Sequence, residues 1–259
     1  MTSSSSDQSK TFTKTVSSDF LETRTNASNA LKQFDNPFYS TQKLESFLKE
    51  QGCLQTGKKV LDMGCGYGAY LSYFGAQNPD MSFVGIDYNQ SDVELGNQLL
   101  KERNIDSVEL KCSNWFDLDS DMKGQYDGVM SVHTLCCFKD IDEPISKLCE
   151  LSPRWIALNS LFYDGPLDVL IHIRGYDTPW IEDDDPDGDF NIFSFEKTAK
   201  IFERYGYETS FTPFYPEVDL PKPENGRRGS YTMGTDLHPR SQFSGPVFLP
   251  WHFALAQKK

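Results

Sequence analysis

The chain is short of positive charge: 25 Lys and Arg stand against 38 Asp and Glu in 259 residues, a formal net charge of −13. Binding a nucleic-acid backbone requires clustered Lys and Arg. Here the basic doublets Lys58-Lys59, Arg227-Arg228 and Lys258-Lys259 are scattered, which argues against nucleic acid as a partner. No run of 18 apolar residues exists and no apolar leader opens the chain, so neither a membrane span nor a secretory signal is expected. Thr2 stands where N-myristoylation requires glycine. The six cysteines, at 53, 65, 112, 136, 137 and 149, lack C-x-x-C spacing and read as buried thiols of a protein in the reducing cytoplasm. The acidic stretch from Glu182 to Asp189 has no calcium-loop pattern and carries Pro186 in its middle. It reads as a solvated loop, and no metal site is expected. No internal repeat or heptad is visible.

What is present is concentrated at Lys59-Val60-Leu61-Asp62-Met63-Gly64-Cys65-Gly66-Tyr67-Gly68-Ala69-Tyr70, an apolar strand running into a glycine-rich turn that opens a helix. Glycines at 64, 66 and 68 permit positive φ and leave room for a ligand against the backbone. A dinucleotide turn has G-x-G-x-x-G spacing and sets pyrophosphate on the helix N-terminus. This turn is G-x-G-x-G with Asp62 just ahead of it. A carboxylate there repels pyrophosphate but suits a ligand carrying a sulfonium and an ammonium. A second strand, Ser82-Phe83-Val84-Gly85-Ile86-Asp87, then ends in an acid 19 residues beyond Gly68, placed to accept both hydroxyls of a ribose.

These residues resemble motif I and the following acidic strand end of the class I S-adenosylmethionine-dependent methyltransferases. The resemblance is firm over about residues 58–140 and only architectural beyond. It implies a Rossmann-like α/β fold: a seven-stranded, mostly parallel, doubly wound sheet with an antiparallel final strand, helices on both faces and an insertion between the last two strands. It also implies S-adenosyl-L-methionine as cofactor, with S-adenosyl-L-homocysteine as product. On this reading Asp62, Gly64, Cys65 and Gly66 cradle the methionine end, and Asp87 and Tyr88 meet the ribose. Asn114 and Trp115 fall at the adenine and Ser131 on the crevice strand. Position 114 departs from the family pattern, which has Asp there followed by a small residue; the Asn114 amide oxygen can still accept from the adenine amino group, and Trp115 can wall the ring.

Along the chain, residues 1–18 are Ser/Thr-rich with little to bury and read as a disordered tail. A single methyltransferase domain follows over 19–259. Residues 19–56 form N-terminal helices or a lid in which Arg24, Phe38 and Tyr39 can face the ligand. Residues 57–163 form the cofactor-binding core, and 164–192 and 219–246 are substrate-side insertions. Helices are expected near 40–51, 90–103, 143–151 and 195–205, and strands at 107–112, 126–133, 154–162, 207–215 and 247–256. The stretch 168–174 alternates at strand period, placing Asp168, His172 and Arg174 on one face, and residues 231–235 and 242–244 form a short hairpin.

In a displacement at carbon the protein orients the reactants and excludes water, and a base is needed chiefly when a hydroxyl must lose its proton. His133, Asp168 and His172 are the candidates. Tyr163, Trp180, Trp251 and the 219–245 insertion point to an enclosed pocket for a small-molecule acceptor, a hydroxyl or amine of a polar or sugar-like metabolite. The alternatives are a macromolecular methyltransferase acting on protein or RNA, and a non-catalytic cofactor-binding module.

Overall fold

The computed structural model describes residues 27–173, 188–224 and 229–259. Helices α1 (Ala27–Asp35) and α2 (Tyr39–Glu50) flank the Asn36-Pro37 break and lead into β1 (Lys59–Met63). There follow α3 (Ala69–Gln77), β2 (Ser82–Asp87), α4 (Gln90–Glu102), β3 (Val108–Cys112) and β4 (Gly128–Val132), then α5 (Asp142–Glu150) and β5 (Trp155–Tyr163). Beyond β5 come three two-residue strands, β6 (His172–Ile173), β7 (Gly188–Asp189) and β8 (Phe193–Ser194), and then α6 (Phe195–Arg204) and β9 (Tyr207–Pro213). The chain ends in β10 (Ser230–Met233), β11 (Ser241–Ser244), β12 (Val247–Phe248) and β13 (Trp251–Lys258).

The main sheet runs β3-β2-β1-β4-β5-β13-β9, with β8 joined to β5. β1 to β5 pair in parallel, whereas β13 lies antiparallel between β5 and β9. The expected mostly parallel, Rossmann-like sheet with an antiparallel final strand is therefore present. The order reverses at β1, where β2 departs to one side and β4 to the other, the switch point at which open α/β sheets take their ligands.

Strand alternation sorts the side chains into two cores. On one face Val60, Met130, Val132, Ala157, Trp251 and Phe253 pack with Leu44, Leu48, Leu71, Phe74, Val93 and Leu99 of α2, α3 and α4. On the other, Leu61, Met63, Val129, Ile156 and Leu158 pack with Ile145, Leu148, Ile201 and Phe202 of α5 and α6. Fully burying one such side chain stabilises the fold by roughly 1.5–3 kcal/mol, and both layers are needed because a central parallel strand is apolar on both sides. The helix starts are set by short side chains. Asn89 accepts from the N–H groups of Ser91 and Asp92 ahead of α4, and Ser194 accepts from Lys197 ahead of α6, each cap contributing about 1 kcal/mol.

Some expectations need correction. The strand expected over 168–174 shrinks to His172–Ile173 plus an isolated bridge from Val169 to Ile192. The last strand expected over 247–256 divides, since Val247–Phe248 pairs with β11 in a separate three-stranded sheet and β13 begins only after Leu249-Pro250. Proline lacks the N–H that would carry one strand through both sheets. The helix expected near 143–151 begins at Asp142, with Ile141 as its cap. Arg24, Arg174, Trp180, the 1–18 tail, Arg227-Arg228 and most of the 182–189 acidic run lie outside the described residues. Among those described, no helix is long and apolar enough to cross a membrane, and no group of three or more His, Cys, Asp and Glu could hold a metal ion.

Candidate active site

The turn after β1 takes the shape its glycines allow: φ is +80° at Gly64, +52° at Gly66 and +75° at Gly68. Gly64 has a second constraint, because a Cβ there would fall 2.6 Å from the Thr134 side chain, whose Oγ1 donates to the Gly64 carbonyl at 3.1 Å. Gly66 differs in having nothing within 4 Å of where its Cβ would be, so its surface opens onto free space. Asp87, at the end of β2, holds the turn: Oδ2 accepts from Gly66 N at 2.7 Å and Oδ1 from Asn89 N at 2.9 Å.

Asp62 lies one strand away with no such support. It is 1 % exposed, and its Oδ1 is buried without a hydrogen bond. Burial, reinforced by the neighbouring Asp87 carboxylate, pushes it up to about 8. Burial raises Asp87 as well, but three backbone N–H groups, of Asn89, Gly66 and Tyr88, oppose the shift. The ionised form is thus better supported at Asp87, and the proton belongs on Asp62.

His133 follows β4 in the left-handed region, φ +60°, and its ring turns back onto the face occupied by α2 and α3. Nδ1 shares a 2.6 Å hydrogen bond with the Tyr70 hydroxyl, and the ring sits 4.5 Å from that of Trp251. Burial among these rings drives it down to about 4, against a hydrogen bond to Asn159 that raises it, so it is neutral at ordinary pH. The Tyr70 phenol is itself raised by burial, with the Ser40 and Thr41 hydroxyls of α2 as polar neighbours. Phe38, just ahead of α2, reaches within 6.2 Å of the Tyr70 ring and is 45 % exposed. Tyr39 and Phe214 bring their rings to 5.9 Å, and Lys43 pairs with Glu217, which ties α2 to the segment after β9.

Not every residue expected from sequence joins this cluster. Cys65 is buried in the turn and its thiol is raised well above its ordinary value, mainly by burial. Tyr88 stands beside Asp87 and is 43 % exposed. The Asn114 side-chain oxygen Oδ1 accepts from Phe116 N at 2.9 Å in a local turn, which uses one of its two acceptor sites. Trp115 differs from the expected adenine wall. It is 5 % exposed, its Nε1 donates to the Pro144 carbonyl, and its ring packs edge-on against Phe138 in the α5 core. Ser131 is fully buried without a hydrogen-bond partner and alternates with Met130 and Val132 toward the α5 side, opposite Asp62.

Asp168 is also not a free base. Its Oδ1 accepts from Ser194 N and its Oδ2 pairs with Lys197 Nζ, both at 2.9 Å, so it secures the start of α6. His172 is separate from it and pairs with Asp189. The sequence reading missed Tyr70, Asn159 and Asp189. Tyr70 had a signal in its place two residues beyond the last glycine of the turn, whereas Asp189 lay hidden in an acidic run.

Residues 54–154 match the family model described as a methyltransferase domain. The chain is 28 % identical over 123 residues to a ubiquinone biosynthesis O-methyltransferase of Acinetobacter baumannii, covering 46 % of this chain and 50 % of that protein. It is 33 % identical over 107 residues to an uncharacterized protein of Rickettsia prowazekii, covering 39 % and 42 %. The chain thus spans about half the length of these curated relatives. Magnesium protoporphyrin IX methyltransferase from Synechocystis PCC 6803, solved with bound S-adenosylmethionine, superposes with a TM-score of 0.53 at 15 % identity, over 93 % of this chain and 88 % of that one. A methyltransferase from Aquifex aeolicus gives 0.51 at 15 % identity, over 90 % and 98 %. The fold is that of the class I, Rossmann-like methyltransferases.

Proposed function

We propose that this chain is an S-adenosylmethionine-dependent methyltransferase whose acceptor is a hydroxyl or amine of a small polar or sugar-like metabolite. One observation carries the reading. At the switch point of the sheet, an open glycine surface at Gly66 adjoins Asp62, a buried carboxyl with an unpaired oxygen. A buried carboxyl with an unpartnered oxygen is ionised by a cation placed beside it. S-adenosylmethionine fits: its ammonium and sulfonium would answer Asp62, its ribose hydroxyls would answer Asp87, and the open backbone at Gly66 would leave room for its chain.

When bound, the cofactor supplies a methyl group activated by the positive charge on sulfur. The residues around it bind, orient and exclude water, and such alignment can account for roughly 7–11 kcal/mol of barrier lowering. The aromatic surround of Phe38, Tyr70 and Trp251 supports a small acceptor, as do the names of the biosynthetic relatives, one acting in ubiquinone biosynthesis and one on a magnesium porphyrin. The net charge of −13 is consistent with an acceptor other than nucleic acid.

Calorimetric titration with S-adenosylmethionine and S-adenosylhomocysteine tests the reading, with Asp87→Ala as control and circular dichroism to show that the variant folds. Micromolar binding that is lost in the variant is expected. Absence of binding to the unaltered protein refutes the proposal.

A further inference from the structure

Among the described residues, β3 is the last strand on one side of the main sheet. The Ser107 carbonyl accepts from Phe83 N and Ser113 N donates to the Asp87 carbonyl, so the odd-numbered positions of this stretch turn their backbone groups toward β2. Successive residues of a strand turn opposite ways, which points the N–H and C=O groups of Val108, Leu110 and Cys112 out of the sheet. A row of this kind is a template on which another strand can pair.

At Leu110, the middle position, the template is already filled. Asn97 Oδ1 accepts from Leu110 N at 3.1 Å, and Asn97 Nδ2 donates to the Leu110 carbonyl at 2.9 Å. One side-chain amide thus makes the two bonds that a residue of an antiparallel neighbour would make. Asn97 lies inside α4, where asparagine is a poor helix former, and it follows Gly96, a poorer one. Gly96 has its own reason to be there, because a Cβ would fall 2.4 Å from both the Leu110 side chain and the Tyr67 carbonyl oxygen. Its bare backbone lets α4 settle onto β3, and the residue after it reaches the edge.

What the amide keeps away is legible in β3 itself, whose sequence Val108-Glu109-Leu110-Lys111-Cys112 is self-complementary about Leu110. If β3 of a second copy lay antiparallel, with the two Leu110 residues facing across a two-fold axis, Glu109 of each copy would stand opposite Lys111 of the other. These are the non-hydrogen-bonded positions, where cross-strand side chains come closest and opposite charges attract. Both side chains are available, at 63 % and 52 % exposure, and they now pair with each other along the strand at 3.1 Å. We propose that Asn97 is a stopper that prevents β3 from pairing with β3 of a second copy of this chain. The role is independent of the ligand bound at the switch point on the carboxyl side of the sheet.

Sedimentation velocity across a range of concentrations, with amide hydrogen exchange read at Leu110, tests this on the full chain. Circular dichroism shows which variants fold. In dilute Asn97→Ala the Leu110 amide should exchange about tenfold faster than in the unaltered protein. In concentrated Asn97→Ala a species of twice the unaltered mass should form. Adding Glu109→Lys sets like charges opposite each other and should remove that species, and adding Lys111→Glu as well should bring it back. Asn97→Asp keeps an acceptor for the Leu110 N–H and loses the donor to its carbonyl. It should associate more weakly than Asn97→Ala, and it carries the test if Asn97→Ala does not fold. A folded variant that is less stable but keeps the mass of the unaltered chain leaves Asn97 as a tie between α4 and β3 and overturns the proposal. Association that survives Glu109→Lys, or a Leu110 amide equally protected without Asn97, overturns it too.

Discussion

With the proposed placing of the cofactor beside Asp62, its binding is expected to release a proton. In the free protein the Asp62 carboxyl is pushed up to about 8, against an ordinary value of 3.8, so it is mostly protonated at neutral pH. A cation beside it favours the ionised form, and binding then expels the proton. Affinity follows the ionised fraction, which for a group titrating near 8 rises from about 0.01 at pH 6 to about 0.24 at pH 7.5, a gain of about 25-fold. At pH 7 close to one proton, about 0.9, should leave per cofactor bound. Calorimetry in phosphate and in Tris, whose ionisation enthalpies differ, counts that proton directly, and Asp62→Asn should abolish both the buffer dependence and the pH slope. In folding the sign is reversed relative to binding. An acid raised in the folded state contributes stability at low pH that is lost as pH rises from about 4 to 8, so Asp62→Asn should melt higher than the parent at pH 8 in the absence of cofactor. A binding heat independent of buffer, with a flat affinity from pH 6 to 7.5, would refute the reasoning.

Three further outcomes are expected. Gly66→Ala should fold with a loss of roughly 1–2 kcal/mol from its left-handed backbone while weakening cofactor binding at least tenfold, whereas Gly64→Ala, whose Cβ would meet Thr134, should lower the melting temperature more; thermal melts beside calorimetry separate the two. His133, down at about 4 in the fold against 6.5, contributes stability above pH 6.5 that is lost as pH falls to about 4, about 3 kcal/mol in all, and denaturant titrations of His133→Asn should show a flatter acid limb. Lys197→Met breaks a half-exposed ion pair to Asp168 and should cost at most about 1 kcal/mol with methyl transfer unchanged; a loss of turnover at constant stability would return Asp168 to the reaction.

The strand, turn and helix around residues 59–77 were legible because their signals are local. Each glycine is required by its own backbone angle, and the apolar periodicity of β1, β2 and β4 declares strands that are buried on both faces. Positions governed by distant partners were not legible. The carboxyl of Asp168 is occupied by Ser194 and Lys197, 26 and 29 residues away, and no alternation within 168–174 announces that. Trp115 was assigned to a ligand wall from its place after a strand, but the Pro144 carbonyl and Phe138 draw it into the core. The division of the final strand does have a local signal, the proline of Leu249-Pro250. The pairing of His172 with Asp189 depends on a hairpin whose two arms meet across 17 residues, and only the three-dimensional register reveals it.

The place of β13 bears on how the chain folds. Because β13 lies between β5 and β9, neither strand has its neighbour on that side until the last-made strand arrives. β5 and β9 meanwhile present open edges with unpaired backbone groups, and β13 must cross 92 residues in sequence to pair His252 with Ser160. Contacts of such separation are slow to form. The half formed by β1 to β4 with α3 and α4 draws on nearer partners, so it is expected to consolidate first and to serve as the template on which β5, β13 and β9 are completed.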